Sequence, residues 1–158
     1  MVNQNGEPDF AIIATGVARV VADRLGAAVE RAGIDDIRAS YGFVIRALSE
    51  RERTLTELAE LLVVTKQAAI KVVDEMEERG FVERVPDPDD RRAKAIRLTD
   101  RARVVRKAAL AESRRIEREL RADLGEQDVL AMRRVLLRLL ERSGSLDDAA
   151  AGRSRALW

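Results

Sequence analysis

The chain has 158 residues, ordinary apolar content (46%), few aromatics (3%) and many charges (36%) that sum to +1. That length suits one domain with a sizeable core, and the balance of Ala, Leu, Arg and Glu suits a mostly helical one. Cysteine and histidine are both absent, which excludes disulfides, thiol redox sensing, thiolate or imidazole metal sites and cysteine or histidine catalysis. The chain is therefore expected to be no enzyme and to need neither cofactor nor metal.

Residues 1–7 are polar. The apolar stretch from Phe10 to Val21 has no basic segment before it, Arg19 interrupts it, and Asp23 and Arg24 come directly after it. It reads as neither a signal peptide nor a membrane span, so a cytoplasmic protein is expected. Phe10, Ile13, Val17, Leu25 and Val29 recur at helical spacing instead, which predicts a helix over about 8–33 ended by Gly33. A second helix is predicted from about Asp35 to Glu50, followed by a charged break at Arg51-Glu52-Arg53.

Thr54 and Glu57 stand at the spacing of a capping box, and Leu58, Ala59, Leu61 and Leu62 form the apolar face of the short helix they open. After Val63-Val64, Thr65 suits the N-cap of another helix, over about 66–79, closed by Gly80. On this helix Ala69, Val72, Val73 and Met76 make a core stripe, and Gln67, Ile70, Lys71 and Asp74 lie opposite. Its charges are split: Lys66 and Lys71 occupy the first half, and Asp74, Glu75, Glu77 and Glu78 the second.

Residues 81–85 and 95–98 alternate with period two and flank "PDPDDRR", a proline- and aspartate-rich turn; together they predict a β-hairpin. A long charged helix comes next, over about 100–123, broken by Gly125. A last helix over 126–142 carries Val129, Leu130, Val135, Leu136, Leu137, Leu139 and Leu140. The Ser/Gly/Asp/Ala-rich tail, 143–158, is expected to be flexible. The fold class that emerges is mostly α with a small β-hairpin wing (α+β), a winged helix-turn-helix lobe over 51–99 flanked by terminal helices.

Short helix, tight turn, second helix and hairpin, taken with Glu78-Arg79-Gly80-Phe81-Val82-Glu83-Arg84 and with Asp90, Arg92, Leu98 and Thr99 of the wing, resemble the DNA-binding lobe of the MarR family of transcriptional regulators. The likeness runs from about residue 54 to 106. It implies a sequence-specific regulator, most commonly a repressor. Such a protein is a homodimer joined through its terminal helices (8–33 and 126–142), reading a pseudo-palindromic double-stranded DNA operator. The recognition-helix positions it assigns are Thr65, Lys66, Gln67, Ala68 and Lys71. On the wing it assigns Arg92, with Asp90 orienting it.

Physical chemistry agrees with these roles. Glutamine can pair bidentately with adenine and lysine can reach guanine or phosphate. Ala68 and Ile70 suit thymine methyls, although Ile70 equally suits packing on the preceding helix. Arginine gains from the negative potential of a narrow minor groove, and Arg91 and Lys94 stand beside Arg92 to meet phosphate. Acids in the second half of the helix fit docking by its N-terminal end.

Val63 stands where the helix-turn-helix turn usually has glycine. Ala102 also replaces a family glycine, which favours an unbroken long helix. Residues 51–99 hold ten Lys/Arg against eleven Asp/Glu, so affinity must rest on where the bases point, with Arg51, Arg53, Arg101, Arg103 and Arg106 as further phosphate donors.

Family members commonly respond to small organic effectors bound where the dimerisation helices meet the DNA lobe. Ile13, Tyr41, Phe43 and Arg46 are the lining candidates, each also explicable as core or surface. Two other readings stand beside this one. In the first the chain is a helical dimeric protein-interaction module without specific DNA binding. In the second Asp87, Asp89 and Asp90 are a metal-assisted site, which lacks the spacing of a calcium loop and has two arginines beside it.

Overall fold

In a computed structural model, which describes residues 6–87 and 93–142, the chain forms six helices and a small three-stranded sheet. Helix α1 (Phe10–Arg31) starts where the Asp9 carboxylate accepts a hydrogen bond from the Ile12 amide at 3.0 Å. Helix α2 (Ala39–Ala47) follows, then strand β1 (Arg53–Thr54), helix α3 (Leu55–Leu61) and helix α4 (Lys66–Glu78). Strands β2 (Val82–Pro86) and β3 (Lys94–Leu98) form the hairpin, and helices α5 (Asp100–Leu124) and α6 (Glu126–Arg142) close the described chain. None of these helices is long and apolar enough to cross a membrane.

Two elements depart from the sequence-based expectation. The second helix was expected from Asp35, but residues 35–38 carry no helix and α2 begins at Ala39. The reason is tertiary. The Asp36 carbonyl accepts from Arg79 at 3.2 Å, and its carboxylate pairs with Arg101 at 2.5 Å, so this segment is tied to the ends of α4 and α5. The expected charged break contains a strand: Arg53 pairs with Ile96 and Thr54 with Ala95, extending the hairpin to the order β1-β3-β2. Two residues are too few to show alternation, so periodicity could not reveal it.

The core lies between α2, α3, α4, the sheet and the start of α5, with Tyr41, Val44, Leu58, Val73, Met76 and Phe81 fully buried. Phe81 is its hinge. The Tyr41 ring meets it at 5.5 Å, tilted by 60°, and the Arg101 guanidinium covers it at 4.7 Å. Thr99 caps α5 by accepting from the Ala102 amide, and its hydroxyl donates to the Gly80 carbonyl at 2.6 Å. One residue thus starts the long helix and joins it to the corner between α4 and β2. Ala102 is buried and α5 runs unbroken through it, as the missing glycine led us to expect.

The second half of α1 lies on α5, held by a charge cluster. Arg24 donates to the buried Glu112 carboxylate at 2.6 and 2.8 Å and to Glu119 at 2.6 Å, and Arg31 and Arg115 stand 3.6 and 3.9 Å from the other Glu112 oxygen. The first half of α1 has no such cover: Phe10, Ile13, Val17 and Val20 are exposed along one stripe. On α6 only Val129 is buried, while Leu130, Met132, Val135, Leu136 and Leu139 are exposed.

Candidate nucleic-acid interface

The helix-turn-helix is assembled from local hydrogen bonds. Thr54 opens α3 with both halves of the capping box: its hydroxyl accepts from the Glu57 amide at 3.3 Å, and the Glu57 carboxylate accepts from the Thr54 amide at 2.7 Å. Arg51 adds a 2.5 Å bond to the same carboxylate. That bond first, and the Thr54 amide second, hold the Glu57 pKa down at about 2. The chain then reverses at Val63, whose φ of 54° lies in the left-handed region. Thr65 caps α4, its hydroxyl accepting from the Ala68 amide at 3.1 Å.

On α4, Lys66, Gln67 and Lys71 are exposed around its first turns. Thr65, at the cap, is exposed as well, and Ile70 is half-buried. Ala68 is half-buried too and lines a small apolar cavity between α2, α3 and α4, with Leu62, Val64 and Val72. Ala69, Val73 and Met76 carry the buried stripe that seats the helix.

The acids of the second half are mostly taken up by arginines from other parts of the lobe. Arg84 of β2 pairs with both Asp74 and Glu77, and its amide also donates to Glu77. The hydrogen bond to Asp74 and the charge of Glu77 raise the Arg84 pKa further, so the pairing stays ionic. Glu75 pairs with Arg38 and, at 3.6 Å, with Arg79. Across the hairpin Glu83 and Arg97 are register partners, and Arg97 reaches both Glu83 (3.0 Å) and Glu52 (3.6 Å).

This pairing changes the meaning of the near-zero charge. Arg51 is committed to Glu57, and Arg53 donates to the Ala47 carbonyl at 2.8 Å with its side chain largely covered. Arg101 is held by Asp36 and the Phe81 ring, and Arg103 pairs with Asp100. Four of the five extra phosphate donors expected from the sequence are therefore engaged inside the protein; Arg106 is exposed without an ion pair among the described residues. Within residues 51–99, the described bases lacking an ion pair are Lys66, Lys71 and Lys94, at the start of α4 and on β3. No spacing rule reveals this, because Arg84 meets Asp74 only once the chain has turned from helix into strand.

The wing is described as far as Asp87 and from Ala93, where the Asp87 amide donates to the Ala93 carbonyl at 3.1 Å and closes the hairpin. Lys94 is exposed opposite Pro86. Asp90, Arg91 and Arg92, like Asp89, lie outside the described residues, as does the 143–158 tail.

Of the four effector candidates, Tyr41, Phe43 and Arg46 share α2, and Ile13 lies on α1. Tyr41 is fully buried with an unpartnered hydroxyl, and burial, with Glu75 nearby, pushes its pKa up. Phe43 is half-buried against the core, Arg46 is exposed on α2, and Ile13 is exposed on the uncovered half of α1. The apolar cavity and an open polar cleft around Arg24, Arg31 and Glu112 are lined by none of these four.

Comparison with known proteins agrees with this architecture. Residues 36–93 match the sequence model described as the MarR family. Over 131 residues the chain is 31% identical to the transcriptional activatory protein BadR of Rhodopseudomonas palustris, covering 82% of this chain and 75% of that protein. Among solved structures, RV1404 of Mycobacterium tuberculosis superposes with a TM-score of 0.69 at 21% identity, over 85% of this chain and 94% of the other. Wild-type MarR of E. coli, in its apo form, gives 0.60 at 21% identity, over 84% and 98%.

Proposed function

Because the chain belongs to the MarR family of transcriptional regulators, we propose that it acts as a homodimer whose two winged helices read a pseudo-palindromic DNA operator. The charge partition along α4 carries this reading. Asp74, Glu75 and Glu77 are matched by Arg84, Arg38 and Arg79, while Lys66 and Lys71 remain unmatched beside Gln67. A helix so charged enters the major groove by its N-terminal end, where amides and dipole also favour phosphate. Gln67 pairs with a base edge, Lys66 and Lys71 with guanine or phosphate, and Ile70 supplies apolar contact. Lys94 holds the adjacent backbone, and the wing-tip arginines 91 and 92 reach the minor groove.

Dimerisation follows from the uncovered apolar stripes of α1 and α6. Side chains as apolar as Phe10, Val17, Val135 and Leu139 are exposed together at both ends of the described chain, and burying them against a second copy is favourable at about 25 cal/mol per Å². Two half-sites then lie about one helical turn apart on the duplex. A bound dimer represses where the operator overlaps a promoter, the commoner habit of the family. It activates where the operator lies upstream, the role printed in the name of the R. palustris relative. A small organic effector seated between terminal helices and DNA lobe is the expected releasing signal.

A gel shift with the DNA upstream of the protein's own gene tests this. Binding should weaken steeply with salt, and Lys66→Ala or Lys71→Ala should each reduce the log–log salt slope by about 1. A Gln67→Ala, Arg92→Ala double variant that binds as well as wild type would remove the site assignment. Absence of any shift would favour a protein-interaction module.

A further inference from the structure

Three helices of this chain end in the same turn. After α1, Gly33 donates to the Glu30 carbonyl and Ile34 to that of Val29. After α4, Gly80 donates to Glu77 and Phe81 to Met76. After α3 the pattern repeats, with Val63 bonded to Glu60 at 3.1 Å and Val64 to Ala59 at 3.0 Å. The pattern requires a left-handed residue at its pivot, and the three φ values are 85°, 72° and 54°. Glycine takes that conformation without a Cβ clash. Valine, branched at Cβ, is among the residues least suited to it.

Val63 is the only described residue other than glycine with positive φ. Val63 is 50% exposed and stands outside the core cluster, whereas its neighbour Val64 packs against it. A glycine at 63 would keep both hydrogen bonds and relieve the backbone. Strain kept without a packing return is found where a side chain is used for something else.

Position suggests the use. Val63 is two residues before the α4 cap Thr65, so its Cα lies within about 7.6 Å of that residue, from the Cα spacing alone. It shares the entrance of the helix with Thr65 and with the exposed Lys66 and Gln67. We propose that Val63 is a specificity-determining DNA contact, its isopropyl group packing on the C5-methyl of a thymine at the edge of the half-site. This rests on the DNA-binding reading above and adds to it a residue outside the recognition helix.

The test selects duplexes of about 30 base pairs, three helical turns, from a randomised pool with wild type, Val63→Gly and Val63→Ala, and measures each Kd on the wild-type winner. Val63→Gly should melt higher than wild type yet bind at least about fivefold more weakly, and a thymine in each half-site should lose its preference. Val63→Ala keeps a side chain at the strained position and removes the isopropyl group, so it should lose the same preference. Tight binding by Val63→Gly with unchanged base preference would overturn the proposal. So would weakening in Val63→Gly alone, which would mean that turn stiffness and not contact is at work. If wild type enriches no sequence, the DNA-binding reading itself fails, and this inference with it.

Discussion

Tyr41→Phe isolates one oxygen atom. The Tyr41 side chain is fully buried, its ring packs at 5.5 Å against Phe81, and its hydroxyl is the one described buried side-chain polar atom without a hydrogen-bond partner. A buried hydroxyl left unpaired costs about 1–3 kcal/mol. Removing it leaves a gap of roughly 10 Å³, worth about 0.2 kcal/mol at about 24 cal/mol per Å³. The ring and its contacts remain. The variant should therefore be more stable by about 1–3 kcal/mol, raising Tm by roughly 2–12 °C for a domain of this size.

Differential scanning calorimetry at one fixed protein concentration measures it, since Tm depends on concentration for any chain that associates. Tyr41 is also the only tyrosine of the chain, so tyrosinate absorbance reports this group alone. Burial raises its pKa, so the neutral form supports folding below the ordinary tyrosine range, and that support is lost as pH rises beyond it. Ionisation should accordingly appear only with alkaline unfolding. A fall in Tm by several degrees, or a reversible titration at the ordinary tyrosine pKa of about 10 in the native protein, would refute the reasoning.

Three further predictions concern charge and association. The Glu57 carboxylate, held at about 2 by Arg51 and the Thr54 amide, lends stability that is complete above the ordinary glutamate range, near about 4.3, and is lost as pH falls towards 2. Glu57→Gln should flatten that segment of a Tm-versus-pH curve, and an unchanged curve would count against the capping box. Glu112→Gln should lower Tm more than Glu119→Gln, because Glu112 is buried and takes two of the three Arg24 hydrogen bonds, and unpairing a charge hurts more away from water; the reverse order in a melting series would contradict it. Val135→Glu, at a position 61% exposed on α6, should shift sedimentation towards the monomer without changing the helical circular dichroism of the lobe. A dimer of unchanged strength would exclude this face from the interface.

Much of the architecture was legible in the sequence because it is written in local rules. The capping box at Thr54, the cap at Thr65, the stops at Gly33, Gly80 and Gly125, and the core stripe of α4 all depend on residues a few positions apart. The absence of cysteine and histidine closed whole classes of chemistry before any coordinate was known. The candidate site was legible in its residue types, Lys66, Gln67 and Lys71, and in the charge split of the helix. Where local rules ended, so did legibility: Asp35–Arg38 suits a helix by composition but is drawn out by Arg79 and Arg101, and β1 exists only because β3 lies beside it.

The charges mark that boundary most clearly. A count over 51–99 is a sum, and it comes close to zero. Pairing is a matter of a few ångströms, and only the folded chain brings Arg84 to Asp74, Arg38 to Glu75 and Arg101 to Asp36. Coulomb interaction and desolvation both depend on distance and not on sequence separation. The residues themselves therefore determined that this lobe has bases to offer, and the tertiary structure decided that Lys66, Lys71 and Lys94 are the described ones left without an ion pair. Val63 belongs to both: its identity is sequence, but its strained conformation appears only in the turn that α3 and α4 force upon it.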